Sequence, residues 1–226
     1  MDLAELAAGL RGITVEIASD GRGTGAGVVW AYDLIVTNAH VVRGPRVLVR
    51  GADRRRVEGV VVADDRAADL ALVHAPGLDL PTATCAGDEP LPVGSIVVAL
   101  GHPLGVPGAV TRGIVHAVGA LTPGGRTWIQ ADLKLAPGNS GGPLADARGR
   151  VVGVNAMIVD GLALAIPVRE VRQFVQSAGV AVSCRRRRSA CWSSPTATPS
   201  WRRWKRRSAT GPTSTSCRAV RARCAR

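Results

Sequence analysis

The chain has 226 residues, 46% of them hydrophobic, 20% charged and only 3% aromatic. That length supports a substantial core, built mainly from Val, Leu, Ile and Ala, and no apolar run approaches the roughly 20 residues that cross a bilayer as a helix. The net charge of +12 would normally suggest nucleic acid or an anionic membrane, but its distribution removes that reading from most of the chain. Residues 1–182 carry 16 Arg/Lys against 17 Asp/Glu, whereas residues 183–226 carry 13 Arg/Lys and no acid. Cys184, Cys191, Cys217 and Cys224 lie in the same tail, so the body, with Cys85 alone, has no internal disulfide framework.

In chain order, the acidic start Met1-Asp2-Leu3-Ala4-Glu5 lacks the basic and apolar regions of a signal peptide. The chain as written is therefore expected in the cytoplasm. Leu3, Leu6, Ala7 and Leu10 are spaced for a short helix over residues 2–11. From Ile13 the texture changes to short β-branched runs punctuated by Gly, Pro and Asp. Strands are expected at Ile13–Ala18, Ala26–Trp30, Leu34–Thr37, Arg46–Val49, Arg55–Ala63 and Leu70–His74. A second set is expected at Ile96–Leu100, Gly113–Val118, Trp128–Ala131, Val151–Ile158 and Leu162–Ile166. Many short strands with turn signals between them indicate an all-β sandwich or barrel. Pro81, Pro90 and Pro92 mark Leu78–Val93 as a connector between two halves, about 13–77 and 94–167. Pro167 then opens an amphipathic closing helix over 168–177, with Val171, Phe174 and Val175 on one face.

The chain is organised around residues 136–145, Ala-Pro-Gly-Asn-Ser-Gly-Gly-Pro-Leu-Ala. Ser140 sits between Gly138 and the pair Gly141-Gly142, where backbone crowding is lowest. Such a turn can expose a hydroxyl and aim successive backbone N–H groups into one concavity, as a nucleophile beside an oxyanion hole requires. An ordinary glycine-rich hairpin turn would read the same in isolation. His40 stands where a strand runs into a turn, a rigid mounting for a general base. Asp69 opens the apolar run Asp-Leu-Ala-Leu-Val, where a carboxylate could hold the histidine tautomer. Asp64 and Asp65 are weaker rivals because they fall in a turn. His74, His102 and His116 have no metal-ligand spacing and read as structural, so no metal and no cofactor is expected.

The blocks Thr37-Asn-Ala-His-Val-Val, Asp69-Leu-Ala-Leu-Val and Gly138-Asn-Ser-Gly-Gly-Pro-Leu, in that order, resemble the signature blocks of the HtrA/Deg branch of trypsin-like serine proteases. Gly23-Thr-Gly-Ala-Gly-Val-Val, Gly153-Val-Asn-Ala and Leu164-Ala-Ile-Pro fit as well, and the likeness covers about residues 13–178. The resemblance implies two six-stranded antiparallel β-barrels with a catalytic triad in the cleft between them, within a protease domain at 13–182 preceded by an N-terminal segment, 1–12. It implies His40 as general base, Asp69 as its orienting partner and Ser140 as nucleophile. The oxyanion hole falls on Gly138, Asn139 and Ser140, through the N–H groups of Gly138 and Ser140. Leu135, Ala156, Met157, Ile158 and Leu164 would bind substrate in a pocket for a small or medium aliphatic side chain. Lys134 departs from the branch's usual small residue; it either enters this pocket or, as favoured here, snorkels outward. Asp132 is expected to clamp the loop structurally. His102 stands where the branch more often has Asn or Ser and is expected to be a loop residue with no proton to move.

The resemblance implies a serine endopeptidase of unfolded or damaged polypeptides, working in protein quality control. The rival is a non-cleaving, chaperone-like peptide-binding module on the same fold. The family usually acts outside the cytoplasm, which leaves the compartment open. It often trimerises through its N-terminal region, although residues 1–12 offer no aromatic anchors; a homo-oligomer is a possible state, and no specific nucleic acid partner or membrane span is expected. Nothing after Val182 resembles the peptide-binding domain common in this branch. The tail 183–226 has three readings: a basic arm for nucleic acid or membrane, a cysteine metal site of poor spacing, or out-of-frame translation of a GC-rich gene. Its composition favours the third, and its lack of apolar periodicity predicts disorder.

Overall fold

The computed structural model describes residues 2–19 and 24–179. The expectations for the tail lie outside these residues. Helix α1 (Leu3–Gly12) leads into β1 (Thr14–Ala18), β2 (Thr24–Ala31), β3 (Leu34–Thr37), β4 (Arg46–Arg50), β5 (Arg56–Asp65) and β6 (Leu70–His74). After the connector come β7 (Ile96–Gly101), a 3-10 turn at Pro103–Gly105, β8 (Ala109–Ala120), β9 (Thr127–Asp132), β10 (Pro143–Asp146), β11 (Val151–Val159), β12 (Leu162–Pro167) and helix α2 (Val168–Ser177). The strands close into two antiparallel barrels, β1-β2-β3-β6-β5-β4 and β10-β11-β12-β9-β8-β7. The expected pair of six-stranded barrels is therefore the architecture of the chain.

Burial explains why β3 and β6 read as unbroken apolar runs. Ile35, Ala71 and Val73 point into the first barrel with Val15, Ile17, Val47 and Val49. Their neighbours Val36, Leu70 and Leu72 point the other way, into a cluster that includes Val98, Leu100, Leu164 and Ile166 of the second barrel. Both faces are thus removed from water, each fully buried Val, Leu or Ile contributing about 1.5–3 kcal/mol. A third cluster, with Val97, Ala99, Val115, Ile129 and Leu144, fills the second barrel. Helix α1 buries Leu6, Ala7 and Leu10 but leaves Leu3 exposed. Helix α2 buries Val168, Val171 and Val175, with Phe174 partly covered.

Two strands differ most from expectation. β8 runs well past Gly113–Val118 at both ends because it pairs along its length with β7 on one side and β9 on the other. Residues 143–146, read from sequence as the end of the glycine loop, form β10, which closes the second barrel between β7 and β11. The connector is bound to both halves: the Ala83 N–H donates to the Val29 carbonyl (2.8 Å), and the Ala86 N–H to that of Val151 (2.9 Å).

Candidate active site

The first barrel delivers His40 and Asp69. β3 ends at Thr37, and the Asn38 amide Nδ2 donates to the Asp69 carbonyl (2.9 Å), fastening the turn that carries His40 to the turn that carries Asp69. Asp69 sits at φ 51°, a left-handed conformation that Asp tolerates better than most side chains. It immediately precedes β6, and its side chain is only 16% exposed. Both carboxylate oxygens lie 2.9 Å from His40 Nδ1, and Oδ1 also accepts the His40 backbone N–H at 3.0 Å. A carboxylate on Nδ1 fixes the proton there and leaves Nε2 as the basic nitrogen.

The rival carboxylates serve the same mounting. Asp65 Oδ1 accepts the N–H groups of Ala67 and Ala68, both at 2.9 Å, shaping the turn into Asp69. Asp64 pairs with Arg66, whose two other nitrogens donate to the carbonyls of Ala39 (2.8 Å) and Val42 (3.2 Å) on either side of His40. Arg126 Nη1 donates to the Ala68 carbonyl (2.6 Å), Nη2 to Glu170 of α2 (2.9 Å), and the guanidinium stacks 4.5 Å from the Trp128 ring. Neither arginine was singled out from sequence, because a contact to a distant backbone carbonyl leaves no spacing pattern.

The second barrel delivers Ser140 on a loop tied to both barrels. The Ser140 carbonyl accepts the Ala26 N–H of β2 (2.8 Å), and the Gly141 N–H donates to the Asn155 carbonyl of β11 (2.8 Å). Gly141 has φ 85°, and a Cβ there would overlap the Ala26 carbonyl and Thr37 Oγ1. Only glycine allows this approach. The Asn139 N–H donates to the Ala136 carbonyl (3.0 Å), and Gly138, at φ 106°, takes the third position of a Pro-Gly turn. Among the described residues the N–H groups of Gly138 and Ser140 donate to nothing, as an oxyanion hole requires. The Asn139 N–H closes the turn, which leaves the N–H groups of Gly138 and Ser140, the two donors that the resemblance implies, free of partners among the described residues.

His40, Pro137, Gly138 and Ser140 line a cavity of about 240 Å³ together with Gly25 and Val41. A second cleft of about 500 Å³ is lined by His40, Asp69, Arg66, Arg126, Trp128 and Met157. The Ser140 hydroxyl donates to the Ala156 carbonyl at 2.9 Å. That acceptor is available because a bulge in β11 leaves Ala156 without a partner in β12.

The expected substrate-binding residues separate into two groups. Met157 and Ile158 are exposed, Leu135 is half-buried, and Ala156 offers its backbone. Leu164 is 1% exposed and packs in the core between the barrels, so its side chain presents no surface. Lys134 is exposed, in line with the outward reading. Asp132 is no clamp: its carboxylate is exposed and makes no hydrogen bond among the described residues. His102 is a loop residue as expected, and its backbone N–H also donates to the Gly138 carbonyl (3.0 Å), bracing the Pro-Gly turn. Burial pushes the Cys85 thiol up to about 11, so it holds no thiolate at neutral pH to compete as nucleophile.

Two closed six-stranded barrels bringing a histidine, a carboxylate and a loop serine to one mouth define the trypsin-like class of fold. The chain belongs to the trypsin-like peptidase domain family, which it matches over residues 25–154. It is 40% identical over 154 residues to a DegP-like periplasmic serine endoprotease of Pseudomonas savastanoi pv. phaseolicola, a match covering 64% of this chain and 32% of that one. Over 159 residues it is 38% identical to a protein of the same name from Pseudomonas putida, covering 66% and 33%. The serine protease HhoB of Synechocystis sp. is 37% identical over 167 residues, covering 69% and 40%. The chain thus spans about a third of the length of the DegP-like relatives.

Proposed function

We propose that the chain is a serine endopeptidase in which Ser140 attacks a peptide carbonyl, His40 takes and returns the proton through Nε2, and Asp69 holds the imidazole. The observation that carries this reading is the 2.9 Å contact of His40 Nδ1 with both Asp69 oxygens, at a cavity shared with Ser140 and with the free N–H groups of Gly138 and Ser140. The tetrahedral intermediate's oxygen would sit against those two groups, each worth about 3 kcal/mol in the transition state. For the proton to move, the Ser140 hydroxyl must leave Ala156 and turn to His40. That turn gives up a neutral hydrogen bond worth about 1 kcal/mol net. The cost is small beside the total barrier reduction of 8 kcal/mol or more that enzymes typically supply.

The substrates are unfolded or damaged polypeptides, the setting is protein quality control, and action outside the cytoplasm follows the periplasmic designation of the DegP-like relatives. Self-association, as a trimer, is part of the same proposal. A second reading, a peptide-holding module that does not cut, draws on the Ser140 hydroxyl being engaged by Ala156. A fluorophosphonate probe with casein as substrate separates the two. Labelling of Ser140 with parallel loss of casein cleavage, both abolished in Ser140→Ala, is the expected result. A folded chain that never labels, even with peptide activators present, overturns the peptidase reading.

A further inference from the structure

A cavity of about 560 Å³ shares no lining residue with the two clefts that His40 lines. Its walls carry Arg11 from α1, Arg50 at the end of β4, Arg54 from the β4–β5 hairpin and Arg56 at the start of β5, with His102 and Gly108 from the loop after β7. The charges do not cancel. Arg50 pairs with the buried Glu16. Arg11 Nε donates to the Gly108 carbonyl (2.9 Å), which orients the guanidinium but leaves its charge uncompensated. Arg54 and Arg56 have no carboxylate partner among the described residues, and the hairpin's own acid, Asp53, is engaged by Arg55 instead. Three unneutralised guanidinium groups therefore border one concavity, a focused positive field.

Two further observations indicate that this cavity is a site and not an accident of surface charge. Arg54 occupies φ 63°, where Gly or Asn would fit with less strain, so an arginine stands there against its steric preference. His102 is 7% exposed, and its Nδ1 accepts the Gly108 N–H at 3.3 Å, steadying the loop residue whose carbonyl holds Arg11. The volume lies within the range of small-molecule sites, and the guanidinium fork matches phosphate oxygens two at a time.

We propose that this cavity binds the diphosphate group of a small anion, gripped by Arg11, Arg54 and Arg56. Inorganic pyrophosphate and a nucleoside diphosphate share that chemistry, and the test distinguishes them. The full chain is titrated by calorimetry at 150 mM salt, first with inorganic pyrophosphate and then with ADP. Saturable one-site binding of either is expected, weakened at least tenfold in Arg56→Ala and unchanged in Ser140→Ala. Binding of ADP with the same arginine dependence identifies a nucleotide, and binding of pyrophosphate alone identifies the free anion. Arg54→Gly relieves the strained backbone, so it should fold at least as well as the parent while still losing tenfold in affinity. Failure of both anions to bind overturns the proposal. So does binding that survives undiminished in Arg54→Gly and Arg56→Ala, since it would then belong elsewhere, as on the arginine-rich residues 183–226.

Discussion

The two barrels share a strand count and a closed antiparallel pattern, yet they equip the site in different ways. The first contributes His40 and Asp69 from turns bordering β3 and β6, two strands buried on both faces, and the two side chains already touch. The second contributes Ser140 from a loop held in shape by glycines and by carbonyls of both barrels, with its hydroxyl engaged on Ala156. A base and its partner need one fixed distance, which strand ends supply. A nucleophile beside two N–H donors needs several backbone groups aimed together, and only a turn through left-handed space provides that.

The sharpest way to break this contrast lies in the first barrel. Asp69→Asn keeps the shape but places an amide where His40 Nδ1–H needs an acceptor, favouring the wrong tautomer. Steady-state kinetics on a peptide substrate should show kcat lowered about 10⁴-fold with the fold intact. In the second barrel, Gly138→Ala should lower kcat about 10²–10³-fold, because a Cβ there would overlap the His102 carbonyl and the φ of 106° would relax, turning the Gly138 N–H away. Retained activity in Gly138→Ala would show that the turn is not what holds the oxyanion donor.

A smaller effect probes how the first barrel's carboxylate is supported. Arg126→Ala removes the link from Glu170 through the guanidinium to the Ala68 carbonyl, next to Asp69. Because the ion pair is partly exposed, the loss should be about 1–2 kcal/mol of stability, read as a drop of several degrees in Tm, with kcat falling less than in Gly138→Ala. The smallest effect concerns the buried imidazole behind the second barrel's turn. Burial holds His102 below its ordinary 6.5, with Arg50 adding to the same direction and Glu16 opposing it. As pH falls through 6.5 the unfolded chain takes up this proton first, so stability declines below that pH. Urea midpoints compared between pH 7.5 and 5 should fall further in the parent than in His102→Asn; equal falls would show that His102 does not cause the acid sensitivity.

Much of this layout was legible in the sequence where a single chemical demand acted on neighbouring residues. Leu34–Thr37 and Leu70–His74 were readable to their ends because two-sided burial requires continuous apolar side chains. His40, Asp69 and Ser140 stood out because each sits at a strand end or in a glycine turn. β10 was missed because it has four residues, begins with proline and follows directly on the loop, so nothing local separates strand from turn. That the Asn139 N–H is engaged while those of Gly138 and Ser140 are free leaves no mark in the sequence, because only the bond to Ala136 withdraws it. Leu164 lies in an alternating strand whose sequence does not tell which face meets substrate and which meets the other barrel. Arg66, Arg126 and the backbone of His102 act on carbonyls that only folding brings near.

The bond from the Ala26 N–H to the Ser140 carbonyl carries a consequence for the life of the chain. His40 and Asp69 lie in the half that leaves the ribosome first, whereas the serine loop takes its shape only against β2 of that finished half and against β11, synthesised after it. A growing or half-opened chain therefore holds the His40–Asp69 pair assembled with no organised Ser140 loop beside it. On the proposed peptidase reading, cutting power would arrive only at the end of folding and disappear at the first separation of the halves, so the molecule would be poorly equipped to digest its own unfinished copies.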